Sequence, residues 1–384
     1  MKNILKTVLV VTILGLMGCS SSSDDKPAPV SPKLLNDNAL IVPEFENRMI
    51  KAYFNSGATI VDKVAYSLPF DLYGITSKPN CVAMNGNDLF IAVVGSPSKI
   101  IKLPNYGNNG TGPSITNASS ITTTSSDIVG IAFDAQGNLY AAEGIYLDNK
   151  IVRYNAPAYL TTSKIILSNG GATSYFSNLV FDSAGNLWAS DYLNNRVISI
   201  KQLDLNTTNA QMRSLFTNST VFSNNGIANN ENTNAALKAK ILKKAFSKPE
   251  GIAFDSNGWL WVANNNDSGT NDAPTLVTVS PDYLSSVLLT GNKTITEAQY
   301  GTGYKIWNLP SLGSTPGRLG GMQIDKSNNR IFVSEQVSGF GMVFDISSLN
   351  TISNNFTDYK LPITTTNPGN GGLFLANGNQ IKLN

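Results

Sequence analysis

The sequence contains no histidine. Histidine general bases, histidine-centred triads and histidine metal sites are therefore excluded together. Chemistry in this chain falls on its carboxylates and amides, and these recur at set positions. One acid series closes short apolar stretches: Glu143, Asp191 and Glu335, with Asn264 in the matching place. A base follows two of them, Lys150 after Glu143 and Arg196 after Asp191. These acids are expected to pair structurally, and exposed pairs of this kind add little stability. A second series, Asp134, Asp182, Asp255 and Asp325, occupies tight turns and is expected to cap them through the backbone. The position just before a recurring glycine reads Asn80, Val129, Asn178, Glu250, Gly320 and roughly Gly371. Glu250 is the one carboxylate in that row, and no complete catalytic constellation can be assembled from any of the three.

The positions recur because the chain repeats itself. Gly251-Ile-Ala-Phe-Asp-Ser-Asn-Gly-Trp-Leu-Trp-Val-Ala-Asn264 reads as an apolar strand, a tight turn and a second apolar strand. Asn257-Gly258 supplies the positive φ that such a turn needs. Residues 130–143 and 178–191 nearly copy the phrase, 321–335 follow it loosely, and 81–92 and 372–381 are degenerate versions. Third strands follow at Lys99–Leu103, Lys150–Tyr154 and Arg196–Ile200. The repeats predict an all-β fold, a six-bladed β-propeller of four-stranded antiparallel blades, with blade starts about 50 residues apart. Arg48–Phe54 and Ala58–Val64 also read as strands, while the C-terminus stops after a first and a second strand (Leu373–Leu375 and Gln380–Leu383). The N-terminal strands are expected to complete the last blade, closing the ring and hiding two sheet edges. Residues 33–45 are expected to wrap the outside. Two insertions interrupt the rhythm: 219–247, helical over 235–246, and 293–317, whose Tyr300, Tyr304 and Trp307 are expected to pack onto the propeller. Trp188, Trp259 and Trp261 read as blade packing.

The phrase Gly-x-Ala-x-Asp-x-x-Gly-Asn-Leu, continued by Asn-x-Arg, resembles NHL-repeat propellers over about residues 48–384. Pro249 to Ala263 is also similar to the gluconolactonase/senescence-marker-protein family. That resemblance implies a divalent metal such as Ca²⁺ at the channel mouth, with Glu250, Asn178 and Asn80 as ligands. One carboxylate and two amide oxygens are hard donors suited to Ca²⁺. The chain departs from the family set, because Val129 and Gly320 supply nothing.

Topology restricts where function sits. In a four-stranded meander the loops entering first strands and those joining second to third strands share one face, and the tight turns occupy the other. Both insertions and the long 264–274 connection fall on the first face, and function on rigid scaffolds concentrates on such loops. That loop-rich face is the expected site for binding a protein or glycan. The alternative is a metal-dependent, lactonase-like hydrolase at the channel mouth.

The N-terminus reads as a targeting segment. Lys2 and Lys6 precede a short apolar run, Val8 to Met17, ending in Leu16-Met-Gly-Cys19. This resembles a bacterial lipobox, in which the cysteine is lipidated, so residues 1–18 are expected to be a signal peptide. Ser20 to Asp25 resembles the acidic export tag of Bacteroidetes lipoproteins, implying the outer membrane and the cell surface. A polar tether to residue 32 then leads to one domain over 33–384. With Cys19 carrying lipid, Cys81 is single and reads as a small core residue. The formal charge is +2, and the two leader lysines account for it. A near-neutral mature chain without basic runs is not expected to bind nucleic acid. A monomer is expected.

Overall fold

The computed structural model describes residues 39–45, 49–56, 59–66, 78–104, 119–123, 125–144, 149–159, 163–168, 174–206, 212–217, 246–265, 274–291, 293–295, 302–308, 318–326, 329–335, 340–346, 359–361 and 374–376. The leader, the tether, Tyr300, Gly371, the 235–246 helix apart from Phe246, and Gln380–Leu383 lie outside them. Among the described residues no helix is long and apolar enough to cross a membrane.

Strands β1 (Ala39–Glu44), β2 (Met49–Ser56) and β3 (Thr59–Tyr66) form an antiparallel run. Next come two four-stranded meanders. The first is β4 (Lys78–Asn85), β5 (Asp88–Val94), β6 (Lys99–Leu103) and β7 (Ser119–Thr122). The second is β8 (Ile128–Phe133), β9 (Leu139–Glu143), β10 (Lys150–Tyr154) and β11 (Ser163–Ser168). A third sheet holds β12 (Phe176–Phe181), β13 (Leu187–Asp191), β14 (Arg196–Ile200) and β15 (Met212–Thr217). A fourth begins with β16 (Pro249–Phe254), β17 (Leu260–Asn264) and β18 (Thr275–Val279). Helix α1 (Pro281–Thr290) and β19 (Lys293–Ile295) follow, and β20 (Tyr304–Asn308) completes that sheet. β19 instead lies parallel to β15 as a fifth strand of the third sheet. The next meander is β21 (Leu319–Asp325), β22 (Arg330–Glu335), β23 (Phe340–Asp345) and β24 (Tyr359–Leu361). The last strand, β25 (Phe374–Ala376), pairs with β1.

The result is an all-β fold whose sheets are four-stranded and antiparallel, as the repeats predict, except the third, which β19 extends with a parallel fifth strand. Two expectations are corrected. Ala39–Glu44 does not wrap the outside: its apolar residues make it a strand, with Ile41 and Val42 fully buried. Nor does Tyr304–Asn308 belong to an insertion. It is the outer strand of the fourth sheet, where Trp307 stacks on Trp261 with centroids 5.9 Å apart.

The core lies between neighbouring sheets rather than within any one of them. Trp188 and Val197 of the third sheet pack with Ile252, Val277 and Ile306 of the fourth, and Trp261 and Leu276 of the fourth pack with Ile331 and Val333 of the next. Each strand contributes every second side chain to one such layer, so burial of both faces follows from the apolar runs. The inner strands approach closely. A Cβ on Gly251 would lie 2.5 Å from the Gly320 carbonyl oxygen, so any side chain there would force β16 and β21 apart.

The turn aspartates do what their spacing implies, and more. Asp182 accepts the Ala184 and Asn186 backbone N–H groups through Oδ1, and the Asn186 amide and Trp188 indole through Oδ2. Asp134 repeats this with Gln136, Asn138 and the Tyr140 hydroxyl, and Asp255 with Asn257, Trp259 and the Trp261 indole. A donor six residues past the acid thus ties turn to core. In the looser repeat the turn is one residue longer, and the matching position in register is Phe332, seven residues past Asp325; it has no donor, and Arg330 meets Asp325 at 3.1 Å instead.

Candidate functional site

Inner-strand bulges decide which residues reach the loop-rich face together. Register shifts fall between Pro79 and Cys81, Ile128 and Gly130, Phe176 and Asn178, Pro249 and Ile252, and Leu319 and Met322. The extra residue at equivalent levels is therefore Asn80, Val129, Ser177, Glu250 and Gly320. This corrects the row read from sequence. Ser177, not Asn178, is level with Asn80 and Glu250, and its hydroxyl contacts Ser190 and the Pro249 carbonyl. Asn178 stands one residue further along β12 and lines a cavity that neither Asn80 nor Glu250 lines.

Glu250 is fully buried, and its carboxylate faces a guanidinium. Arg318 Nε lies 3.2 Å from Oε2 and Nη2 lies 3.2 Å from Oε1, while the Asn265 amide donates to Oε2 at 2.8 Å. Asn80 turns its amide nitrogen into the next sheet, donating to the Ile128 carbonyl at 2.8 Å and to Asp127 at 3.4 Å. The three residues do not fit a divalent cation. A guanidinium already holds positive charge against the one carboxylate, and the two amides act at different levels. Among the described residues no three His, Cys, Asp or Glu side chains converge to hold a metal.

What the loop-rich face does assemble is an aromatic and cationic cluster. Tyr175 immediately precedes β12 and Tyr192 immediately follows β13; their rings meet edge-on at 5.9 Å. The Tyr192 N–H donates to the Tyr175 carbonyl, fixing the two segments together. Arg318 lies over the Tyr192 ring at 5.4 Å and the Lys248 ammonium at 5.9 Å, within cation–π range. Lys248 is held in a left-handed conformation, φ 49°, by its N–H bond to Asn195. Asn265 completes the group by bonding both the Leu319 N–H and carbonyl. Both tyrosines, Lys248, Asn265 and Arg318 are partly exposed, so the cluster offers rings, cations and an amide to the outside. Sequence reading missed Arg318 and the tyrosines, because they lie just outside the repeating phrase.

Asp191 and Glu143, which close second strands, are structural. Asp191 pairs with Arg196 at 2.8 Å, as expected, and also accepts the Tyr175 N–H and the Asn194 amide. Glu143 stands opposite Lys150 in register and accepts a hydrogen bond from the Tyr154 hydroxyl. Asn264 accepts the Ser247 N–H and donates to Thr275. Glu335 is paired in register with Leu319 and Phe340. Asp127, at the entry to β8, is a perturbed acid of this face. Burial raises its pKa to about 6, against the lowering effects of its backbone and Asn80 hydrogen bonds.

No family model matches the chain, and no curated protein does. Solved structures do. A chain of the nidogen/laminin complex superposes over 89% of this chain and 99% of its own, with a TM-score of 0.56 and 12% identity. A streptogramin B lyase matches over 89% and 91%, with a TM-score of 0.51 and 15% identity. The periplasmic gluconolactonase of Pseudomonas aeruginosa matches over 84% and 82%, with a TM-score of 0.50 and 11% identity. The fold is that of a β-propeller. Binding proteins and enzymes both use this propeller fold, so function must be argued from the site.

Proposed function

We propose that this protein is a bacterial lipoprotein, anchored in the outer membrane through Cys19 and exposed at the cell surface, whose propeller binds a protein or glycan through its loop-rich face. The observation that carries this reading is the cluster of Tyr175, Tyr192, Lys248, Asn265 and Arg318. Tyrosine and arginine are the residues most enriched where proteins meet their ligands, because each combines a large contact area with directional polar groups. In this reading the propeller is NHL-like and six-bladed. β1, β2 and β3 complete the last blade, a closure supported by the β1–β25 pairing and by contacts of β25 with both β21 and β4. The hydrolase alternative, with Ca²⁺ on Glu250, Asn178 and Asn80, has less support because Arg318 occupies the Glu250 carboxylate.

A photo-crosslinking residue replacing Tyr192 in the full chain on intact cells tests the binding face, with the 72%-exposed Leu203 as control position. Adducts from Tyr192 and not Leu203 are expected, cleaved by protease for a protein and by glycosidases for a glycan. Adducts from Leu203 alone would overturn the assignment of the face. In parallel, Cys19→Ala should move the protein from the membrane to the soluble fraction; unchanged fractionation would remove the anchor.

A further inference from the structure

On the face opposite the tyrosine cluster, the inner strands and tight turns enclose a cavity of about 830 Å³. Its walls come from the ends of β4, β8, β12, β16 and β21, with Pro281, Leu284 and Leu288 of α1 at one side. Cavities of this size hold drug-sized organic molecules. We propose that it is a binding site for an organic amine: an apolar body carrying a polar group at its inner end and an ammonium at the mouth.

Three features select that chemistry. Met84, Val180 and Met322 give the wall apolar, adaptable surface. Asn178 lines the same cavity, is only 7% exposed, and has no hydrogen-bond partner among the described residues. Its amide is reached from the cavity, where water or a ligand can satisfy it. A carbonyl, hydroxyl or sulfonamide entering the cavity would do so, using the amide as donor or acceptor. The mouth carries Asp134, Asp182 and Asp255 against one cation, Lys326. Their oxygens already accept turn hydrogen bonds, so they act through charge: a net negative rim on low-dielectric walls concentrates cations. This site is separate from the loop-rich face and does not depend on its function.

Three fluorescent probes of one scaffold test the proposal on the full-length protein: dansylcadaverine (cationic), dansylamide (neutral) and dansylglycine (anionic). Dansylcadaverine should bind one saturable site with a blue-shifted emission, about tenfold or more tighter than dansylglycine, and weaken with added salt. Dansylamide should fall between them. Asn178→Leu and Val180→Phe should each weaken dansylcadaverine by about tenfold. Lys326→Glu should tighten it, a gain that misfolding cannot imitate. Equal affinity for the cationic and anionic probes, an unchanged affinity in Lys326→Glu, or wild-type binding in both cavity variants would each overturn the proposal. Crosslinking from Tyr192 reads the opposite face, so failure here leaves that assignment untouched, and the converse holds.

Discussion

Arg318 and Glu250 meet across two neighbouring sheets through two contacts of 3.2 Å, one to each carboxylate oxygen. The acid is fully buried, whereas 40% of the arginine side chain is exposed. The bridge thus fixes β16 against the entry to β21 and simultaneously holds a guanidinium over Tyr192 at the surface. One residue serves both the packing of the sheets and the shape of the binding face.

Removing the arginine should cost more than neutralising the acid. Arg318→Ala takes the guanidinium away from a fully buried carboxylate. After discounting for solvent at the arginine, a loss of about 1–3 kcal/mol is expected. Glu250→Gln keeps hydrogen-bonding capacity and should lose less. Urea melts of both variants give the comparison, and Ca²⁺ titration provides the counter-test. If Ca²⁺ raises the wild-type melting temperature and Glu250→Gln abolishes that rise, the carboxylate is a metal ligand and the pairing yields to it.

The Asp255–Trp261 bond makes a different prediction. Trp261 is completely buried, stacks on Trp307, and donates its indole N–H to Asp255 at 3.0 Å. Trp261→Phe removes that donor and part of the packed volume together, so about 2–4 kcal/mol should be lost. Phe332→Trp should not produce a matching gain, because Arg330 already satisfies Asp325. Equilibrium denaturation of the two variants checks the asymmetry. Equal and opposite shifts would show that the acid-to-indole contact is incidental.

Asp127 sets a pH dependence. Its folded-state pKa, raised by burial to about 6 from 3.8, means that the folded chain holds this proton more tightly than the unfolded one. The stabilising contribution is therefore complete below the unfolded value and is lost as pH rises through about 6. Its size should be about 1–3 kcal/mol, given partial exposure. Asp127→Asn should flatten the decline of melting temperature between pH 4 and 7 relative to wild type. Identical profiles would mean that Asp127 titrates as an ordinary surface acid.

Much of this molecule is legible in its sequence, and the exceptions have identifiable causes. The Asp-x-x-Gly turns fixed strand pairs correctly because a tight turn permits one register. Asn178 is one level off because it aligns with Gly130 and Gly251 themselves; the residue before the glycine position in that repeat is Ser177, and the sequence carried this signal. Helix α1 carried its signal openly: Ser280 caps the Tyr283 N–H and Pro281 takes the first helical position. A strict strand rhythm hides such a signal between β18 and β20. In Ala39–Glu44, Pro43 obscured a strand that the apolar residues otherwise specify. The tyrosine cluster was unreadable for a further reason: its members meet only when three sheets are packed.

Closure of the ring is the remaining test. Leu40 and Leu375 stand opposite one another in the antiparallel pairing of β1 with β25, at nearly the two ends of the folded chain. If the N-terminal strands complete the last blade, a Leu40→Cys/Leu375→Cys variant should form a disulfide under mild oxidation. Such a bond closes almost the whole chain into one loop, and the unfolded state loses correspondingly more entropy than the folded state does. Oxidation should then stabilise the protein by about 3–5 kcal/mol. Cys81 is buried and does not compete for the new thiols. Deleting residues 39–66 should have the opposite effect, because two sheet edges become exposed and recruit other chains, giving aggregation. A double-cysteine variant that stays reduced, together with a soluble truncation melting at the wild-type temperature, would show that the blades close by some other pairing.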